Sequence, residues 1–271
     1  MAYKIGFTTD TTEQKKTESV IATSRSHIVP RKSVVQIHFT DANTTLSYFN
    51  SDFDLKIGDF VFVEGSFKGI RGRVVDIIYN FKIKLENYKK VISVADTTVS
   101  GEFFLAESHF MTFDRNSLPK KKVLSWFKPD TDIEEEFAIG FDNTTFCLDN
   151  LHSMEVSPAV AKRGHNYYLE NKVKYLSIDG TSGYAIVAGS EPYEVEFEYQ
   201  NGKISKIICS CFCSYNCKHE FATMLQLQEI IELIESEYAD QYKNTEYFAI
   251  IDKSTFFTFA IDGKKSGKFT I

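Results

Sequence analysis

Five side chains able to bind a metal ion crowd into eleven positions. The run "CSCFCSYNCKH" carries Cys209, Cys211, Cys213, Cys217 and His219. Thiolate sulfur and imidazole nitrogen are the donors Zn²⁺ prefers, and a closed structural site takes four of them. Five candidates for four places leave the choice open. A disulfide framework would spread its cysteines to close loops, but four of the five here are bunched and only Cys147 is distant. Cys147, in "TTFCL", reads as a small buried apolar residue. A nucleophilic Cys217–His219 pair is the poorer reading, because such pairs come from separate elements with a third orienting group.

The flanking elements decide whether the donors can converge. Alternating runs "YEVEFEY" and "KISKIICS" enclose Asn201-Gly202, a pair that tolerates positive φ and marks a hairpin. Cys209-x-Cys211 then sits at a strand end, where residues two apart project to one side. An apolar-periodic run follows Cys217-x-His219. Phe221, Leu225, Ile231 and Ile234 share one helical face, with Met224 and Leu227 beside it. The order is strand, strand, ligands, helix. Upstream, "SPAVAKRGHNYYLEN" predicts a helix with Ser157 as N-cap, Pro158 at its first position and Asn171 at its end. The strand runs "KVKYLSI" and "GYAIVAG" come next.

In this order the segment resembles the SWIM zinc finger, whose pattern is Cys-x-Cys, spacer, Cys-x-His, helix. "AKRGHNYYLENKVKYLSIDG" is similar to that family's lead-in helix and strand, "AIVAGSEPYEVEFEY" to its strand pair, and "CKHEFATMLQL" to its helix start. The resemblance implies zinc ligation by Cys209, Cys211, Cys217 and His219, with Cys213 as the alternate ligand. Pairing Cys211 with Cys213 would leave a still shorter loop to Cys217. The chain departs from the family in a shorter spacer and in Phe212, where proline is common. The implied function is DNA binding or protein–protein interaction, with zinc structural rather than catalytic.

A second region suggests a surface. From Val34, short β-branched and aromatic runs alternate with glycine turns at Gly58, Gly65 and Gly69, the pattern of a small barrel. "GDFVFVEG" with "KGIRGRV" resembles an SH3-like barrel of the KOW kind, and the small N-terminal DNA-binding domain of the primosomal helicase PriA. Lys68, Arg71, Arg73, Lys82, Lys84, Lys89 and Lys90 outnumber Glu64, Asp76 and Glu86 there, with Phe67, Tyr79, Phe81 and Tyr88 interleaved. Cations for phosphates and rings for bases make a candidate nucleic-acid face, set against an ordinary solvated face over an aromatic core. Around the finger acids outnumber bases, and only Lys203, Lys206 and Lys218 could add a patch.

Composition bounds the rest. The 271 residues are 43% hydrophobic with a net charge of −6, which supports a real core and excludes a uniformly basic nucleic-acid wrapper. No signal peptide and no apolar run of membrane length is visible, so a cytoplasmic location and no membrane partner are expected. His27, His38, His109, His152 and His165 show no ligand spacing and read as core or surface residues. No P-loop, dinucleotide fingerprint or G-x-S-x-G is present. The expected fold is a β-rich α+β protein. It divides into a polar arm (1–30), a small barrel (31–95), a β-containing middle (96–155), the finger (156–240) and C-terminal strands with a hairpin at Asp262-Gly263 (241–271). Within the middle, "SLPKKKVLSWF" predicts a short helix capped by Ser117, and "KPDTDIEEE" a boundary. No enzyme is expected; the alternative is an enzyme or accessory subunit with a site in 96–155.

Overall fold

The computed structural model describes residues 4–8, 30–129, 140, 144–211, 213, 215–261 and 268–270. Most of the predicted polar arm, the boundary run from Asp130 onward, "EEFAIGF" apart from Gly140, and the Asp262-Gly263 hairpin lie outside the described residues. The fold is a strand-rich α+β arrangement of two antiparallel sheets.

The smaller sheet is formed by β2 (Ser33–Phe39), β3 (Thr44–Asn50), β4 (Phe60–Val63), β5 (Gly72–Ile78) and β6 (Val91–Val94), in the order β3-β2-β5-β4-β6. Its outer strands approach one another where Phe49 bridges to Lys90, and the Phe49 N–H donates to the Lys89 carbonyl at 2.9 Å. Alternation in "VVQIHF" sends Val35, Ile37 and Phe39 inward to meet Val61, Val63 and Val74, all but unexposed. Gly72 permits this curl. A Cβ there would stand 2.3 Å from Ile37 Cγ2 and 2.8 Å from Phe39 Cε1.

Among the described residues the larger sheet has ten strands. In chain order they are β1 (Lys4–Thr8), β7 (Glu102–Ala106), β8 (His109–Thr112), β9 (Thr145–Cys147), β10 (Val173–Asp179), β11 (Ser182–Ala188), β12 (Pro192–Gln200), β13 (Lys203–Cys209), β14 (Tyr247–Asp252) and β15 (Lys268–Thr270). Their spatial order is β15-β1-β7-β8-β14-β10-β11-β12-β13-β9. Strands from the stretches read as arm, middle, finger and C-terminal unit therefore share one sheet. Helices α2 (Pro158–Leu169), α3 (Lys218–Glu237) and α4 (Ala239–Thr245) accompany it. Leu176, Ile178, Ala185, Val187, Val195 and Ile204 pack in one core with Met224, Leu227, Ile231 and Ile234 of α3. Alternate residues such as Tyr175, Ile186 and Ile251 build a second core with α1 (Lys120–Leu124), Trp126, Phe256 and Phe259.

The two sheets are joined by an aromatic contact. Phe60 of β4 lies 5.1 Å from Phe259, which stacks on Trp126 at 5.0 Å. The Arg71 guanidinium sits 4.2 Å from the Phe259 ring centre and donates to the Trp126 carbonyl at 3.3 Å.

Several local expectations hold. Ser157 caps α2 through the Val160 N–H at 3.3 Å, with Pro158 at the first position. Asn201 and Gly202 turn with φ of 51° and 75°. Others need correction. The cap position of α1 is Pro119, not Ser117, whose hydroxyl donates to Asp114 instead. In α3, Leu225 is only half-buried and the core seam runs along Met224, Leu227, Ile231 and Ile234. Cys147 is exposed, because on the three-residue edge strand β9 it is Phe146 that points inward.

The run "KSTFFTFAI", expected as strand, is helical: α5 (Lys253–Phe256) passes into a π-turn over Phe257–Ile261. Asp252 is the reason. Its carboxylate accepts the Thr255 N–H at 2.9 Å and the hydroxyls of Ser254 and Thr255, and pairs with Lys174 at 3.1 Å. Burial alone would raise its pKa; the hydrogen bonds and Lys174 outweigh burial and hold it below the ordinary aspartate value. A depressed carboxylate pKa stabilises the fold above the unfolded-state value, and that contribution is lost as pH falls through the folded one. Asp252→Ala should therefore cost about 2 kcal/mol at neutral pH in denaturant unfolding, and the difference from wild type should shrink below about pH 4. A loss that stays equally large in acid would contradict this role.

Candidate metal centre

Four of the five candidate donors converge. Cys209, Cys211, Cys217 and His219 each offer a ligand atom, and these atoms all lie within 4.8 Å of one another. Cys209 is the last residue of β13, and Cys217 is the N-cap of α3. Pairing of Val195 with Cys209 fixes the strand end. Ser210 extends it, donating its N–H to the Glu194 carbonyl and accepting the Glu194 N–H on its hydroxyl, both at 2.9 Å. Cys213 is exposed and outside the group of four.

The two distances from His219 match edges of a metal polyhedron. His219 Nδ1 lies 3.6 Å from Cys209 Sγ and 3.7 Å from Cys217 Sγ. Bonds of about 2.3 Å to sulfur and about 2.0 Å to nitrogen at tetrahedral angles give sulfur–nitrogen edges of about 3.5 Å. The other ring nitrogen, Nε2, is buried and has no hydrogen-bond partner among the described residues. Nδ1 faces both sulfurs, the position of a metal ligand. The group could hold a metal ion.

Local chemistry prepares the donors. The Cys217 sulfur accepts the Glu220 N–H at 3.5 Å, while the Glu220 carboxylate accepts the Cys217 N–H at 2.7 Å, a reciprocal cap closed through sulfur. A hydrogen bond from Cys209, together with His219 and that N–H, pulls the Cys217 thiol down to about 4 against burial. Its partner Cys209 moves upward, because it supplies the proton and is buried. Burial pushes Cys211 up to about 12 and Glu220 up to about 8, the Cys217 charge adding to the latter. A divalent cation held by these donors would replace thiol protons, so its binding would weaken in acid.

Surrounding residues hold the imidazole. Tyr193 of β12 stacks on His219, with ring centres 4.1 Å apart and planes at 19°, and Tyr167 of α2 stands 5.5 Å away. Helix α2 comes this close because of Gly164. A Cβ there would meet Phe221 at 2.9 Å and the Lys218 carbonyl at 3.0 Å. Tyr193, Tyr167 and the buried Glu220 carry no ligand signal in the sequence. Mirroring the two strands about Asn201-Gly202 would bring Tyr193 near the ligands, and that is the one signal available.

The predicted basic residues scatter. Arg71 is drawn into the junction between the sheets, and burial lowers its pKa. Arg73 lies 5.6 Å from the Phe60 ring centre. Lys206 pairs with Glu198 at 2.7 Å, and Lys218 stands over the Tyr167 ring at 4.4 Å. Lys68, Lys82, Lys84, Lys89, Lys90 and Lys203 are exposed. Of the interleaved aromatics, Phe67 stacks on the core residue Phe39 and Phe81 packs on Phe49, while Tyr79 is partly exposed under Arg31. Among the described residues no helix is long and apolar enough to cross a membrane.

The chain matches no protein family and no solved structure. It is similar to an uncharacterized protein of Methanocaldococcus jannaschii, 34% identical over 70 residues. That stretch covers 26% of this chain and 29% of the relative, so the chain spans less than a third of the relative's length.

The stacked ring makes a direct prediction. Tyr193→Ala should weaken metal affinity about 10- to 100-fold in a chelator competition, as loss of a ligand's supporting contact does elsewhere. Unchanged affinity would show that His219 needs no such support.

Proposed function

We propose that Cys209, Cys211, Cys217 and His219 hold a structural Zn²⁺ and that the chain is a SWIM-type binding module. The observation that carries this reading is the group of three sulfurs and one imidazole nitrogen within 4.8 Å of one another. Zinc fits three thiolates and an imidazole better than the hard cations, which seek oxygen. Four protein donors leave no open position for water or substrate. The nearest carboxylate, Glu220, is engaged by the Cys217 N–H rather than turned toward a reactant. Zinc then acts mechanically, fixing the end of β13 to the start of α3 and the connecting loop between them.

The wild-type protein should carry about one equivalent of zinc, and Cys217→Ser should lose most of it, because a closed site rests on all four donors. Cys213→Ser should keep its zinc. Metal analysis that reversed these two variants would overturn the ligand assignment.

The partner we favour is DNA, gripped through its phosphates by the barrel lysines. The exposed run Lys82, Lys84, Lys89 and Lys90 supports this, while Arg71, Lys206 and Lys218 are occupied within the protein. Reversing Lys82 and Lys84 to Glu should weaken binding to duplex DNA and lower the salt dependence by about two phosphate contacts. Unchanged binding would eliminate this face. Protein–protein interaction is the second reading, and Tyr215 favours it: the side chain stands 88% exposed on the loop between the ligand pairs.

A further inference from the structure

Cys213 is left over from the metal group, and its position is the informative part. It is exposed, two residues from the ligand Cys211, and both its side chain and its backbone N–H interact with the Cys211 thiol. Cys217 is buried, and Cys209 and Cys211 are partly covered. Four of the five donors group together, and the fifth is an exposed thiol two residues from Cys211. The geometry also suits a disulfide. Such a bond needs Cα atoms within about 7 Å, and residues two apart meet that limit even in an extended chain.

We infer that Cys213 is a hydroperoxide-reactive site whose oxidation ejects the metal. This inference rests on the proposed zinc occupancy of the four-donor group. The chemistry balances with hydrogen peroxide as the oxidant. The Cys213 sulfur attacks one peroxide oxygen and the O–O bond breaks; the products are Cys213 sulfenic acid and one water. The Cys211 sulfur then attacks the sulfenic sulfur, the S–O bond breaks, and the hydroxyl leaves as a second water after taking up a proton. Two thiols lose two electrons, and peroxide gains them. A thiolate bound to metal has its lone pair engaged and is the poorer first target, whereas Cys213 is unliganded and accessible. Once Cys211 is tied to Cys213, only Cys209, Cys217 and His219 remain, and a closed tetrahedral site becomes a three-donor one. The link between β13 and α3 loosens, and reduction by a dithiol restores it.

Cys213 lies outside the core and the ligand set, so Cys213→Ser should fold and load metal as wild type does. The experiment treats zinc-loaded wild type and Cys213→Ser with hydrogen peroxide, follows released zinc with a chromogenic chelator, and maps disulfides by mass spectrometry. Wild type should form the Cys211–Cys213 bond as zinc appears, dithiothreitol should reverse both changes, and the variant should release zinc at least about tenfold more slowly. Equal release rates, or a first disulfide joining Cys211 to Cys209 or Cys217, would overturn the inference. Zinc content measured before oxidation judges the metal reading separately. Were no zinc bound, the disulfide map would still decide whether Cys211 and Cys213 form the reactive pair.

Discussion

One meeting point governs the C-terminal half of the molecule: the end of β13 must reach the first turn of α3. Between Cys209 and Cys217 the chain has only seven residues in which to leave a sheet and enter a helix. Hydrophobic burial does not close so short a polar loop. Four donors held within 4.8 Å would do so with a metal ion in place of their protons. The helix contributes as well. The Glu220 N–H of its first turn donates to the Cys217 sulfur, and its positive end favours a thiolate there. The capping box and the metal group are thus one structure, with Cys217 serving in both.

Everything around that point helps keep it in register. The ladder between β12 and β13 sets where Cys209 ends, and the same ladder delivers Tyr193 onto the His219 ring. Gly164 lets α2 approach α3 beside Lys218, one residue from His219. The apolar seam of α3 then anchors the helix over the sheet, so displacing the helix would also separate the ligands. The spacing of the four donors and the packing of the core are coupled through these few contacts.

The parts of this arrangement that were legible in the sequence are the local ones. Cys-x-Cys at a strand end and Cys-x-His at a helix start are readable from spacing, and the Asn201-Gly202 turn and the Ser157-Pro158 cap identify themselves by residue type. What stayed hidden depends on partners distant in the chain. Nothing in "HFMT" or "YFAIID" announces that β8 and β14 lie side by side, or that both extend the sheet that ends in Cys209. Tyr193 reaches His219 only through strand pairing. Arg71 counts as a phosphate contact by charge but packs against Phe259, almost two hundred residues away in sequence. Asp252 is a different case. Its helix-capping pattern with Ser254 and Thr255 was present, and the apolar run "FFTFAI" masked it because such a run fits strand and helix alike.

Zinc K-edge X-ray absorption on the purified protein tests the central claim most directly, since it reads the donors themselves. The account predicts three sulfur scatterers at about 2.3 Å and one imidazole nitrogen at about 2.0 Å. A shell of four sulfurs would put Cys213 in place of His219, and an oxygen donor would reveal an open site. Either result would contradict the closed three-sulfur, one-nitrogen centre on which this reading of the fold depends.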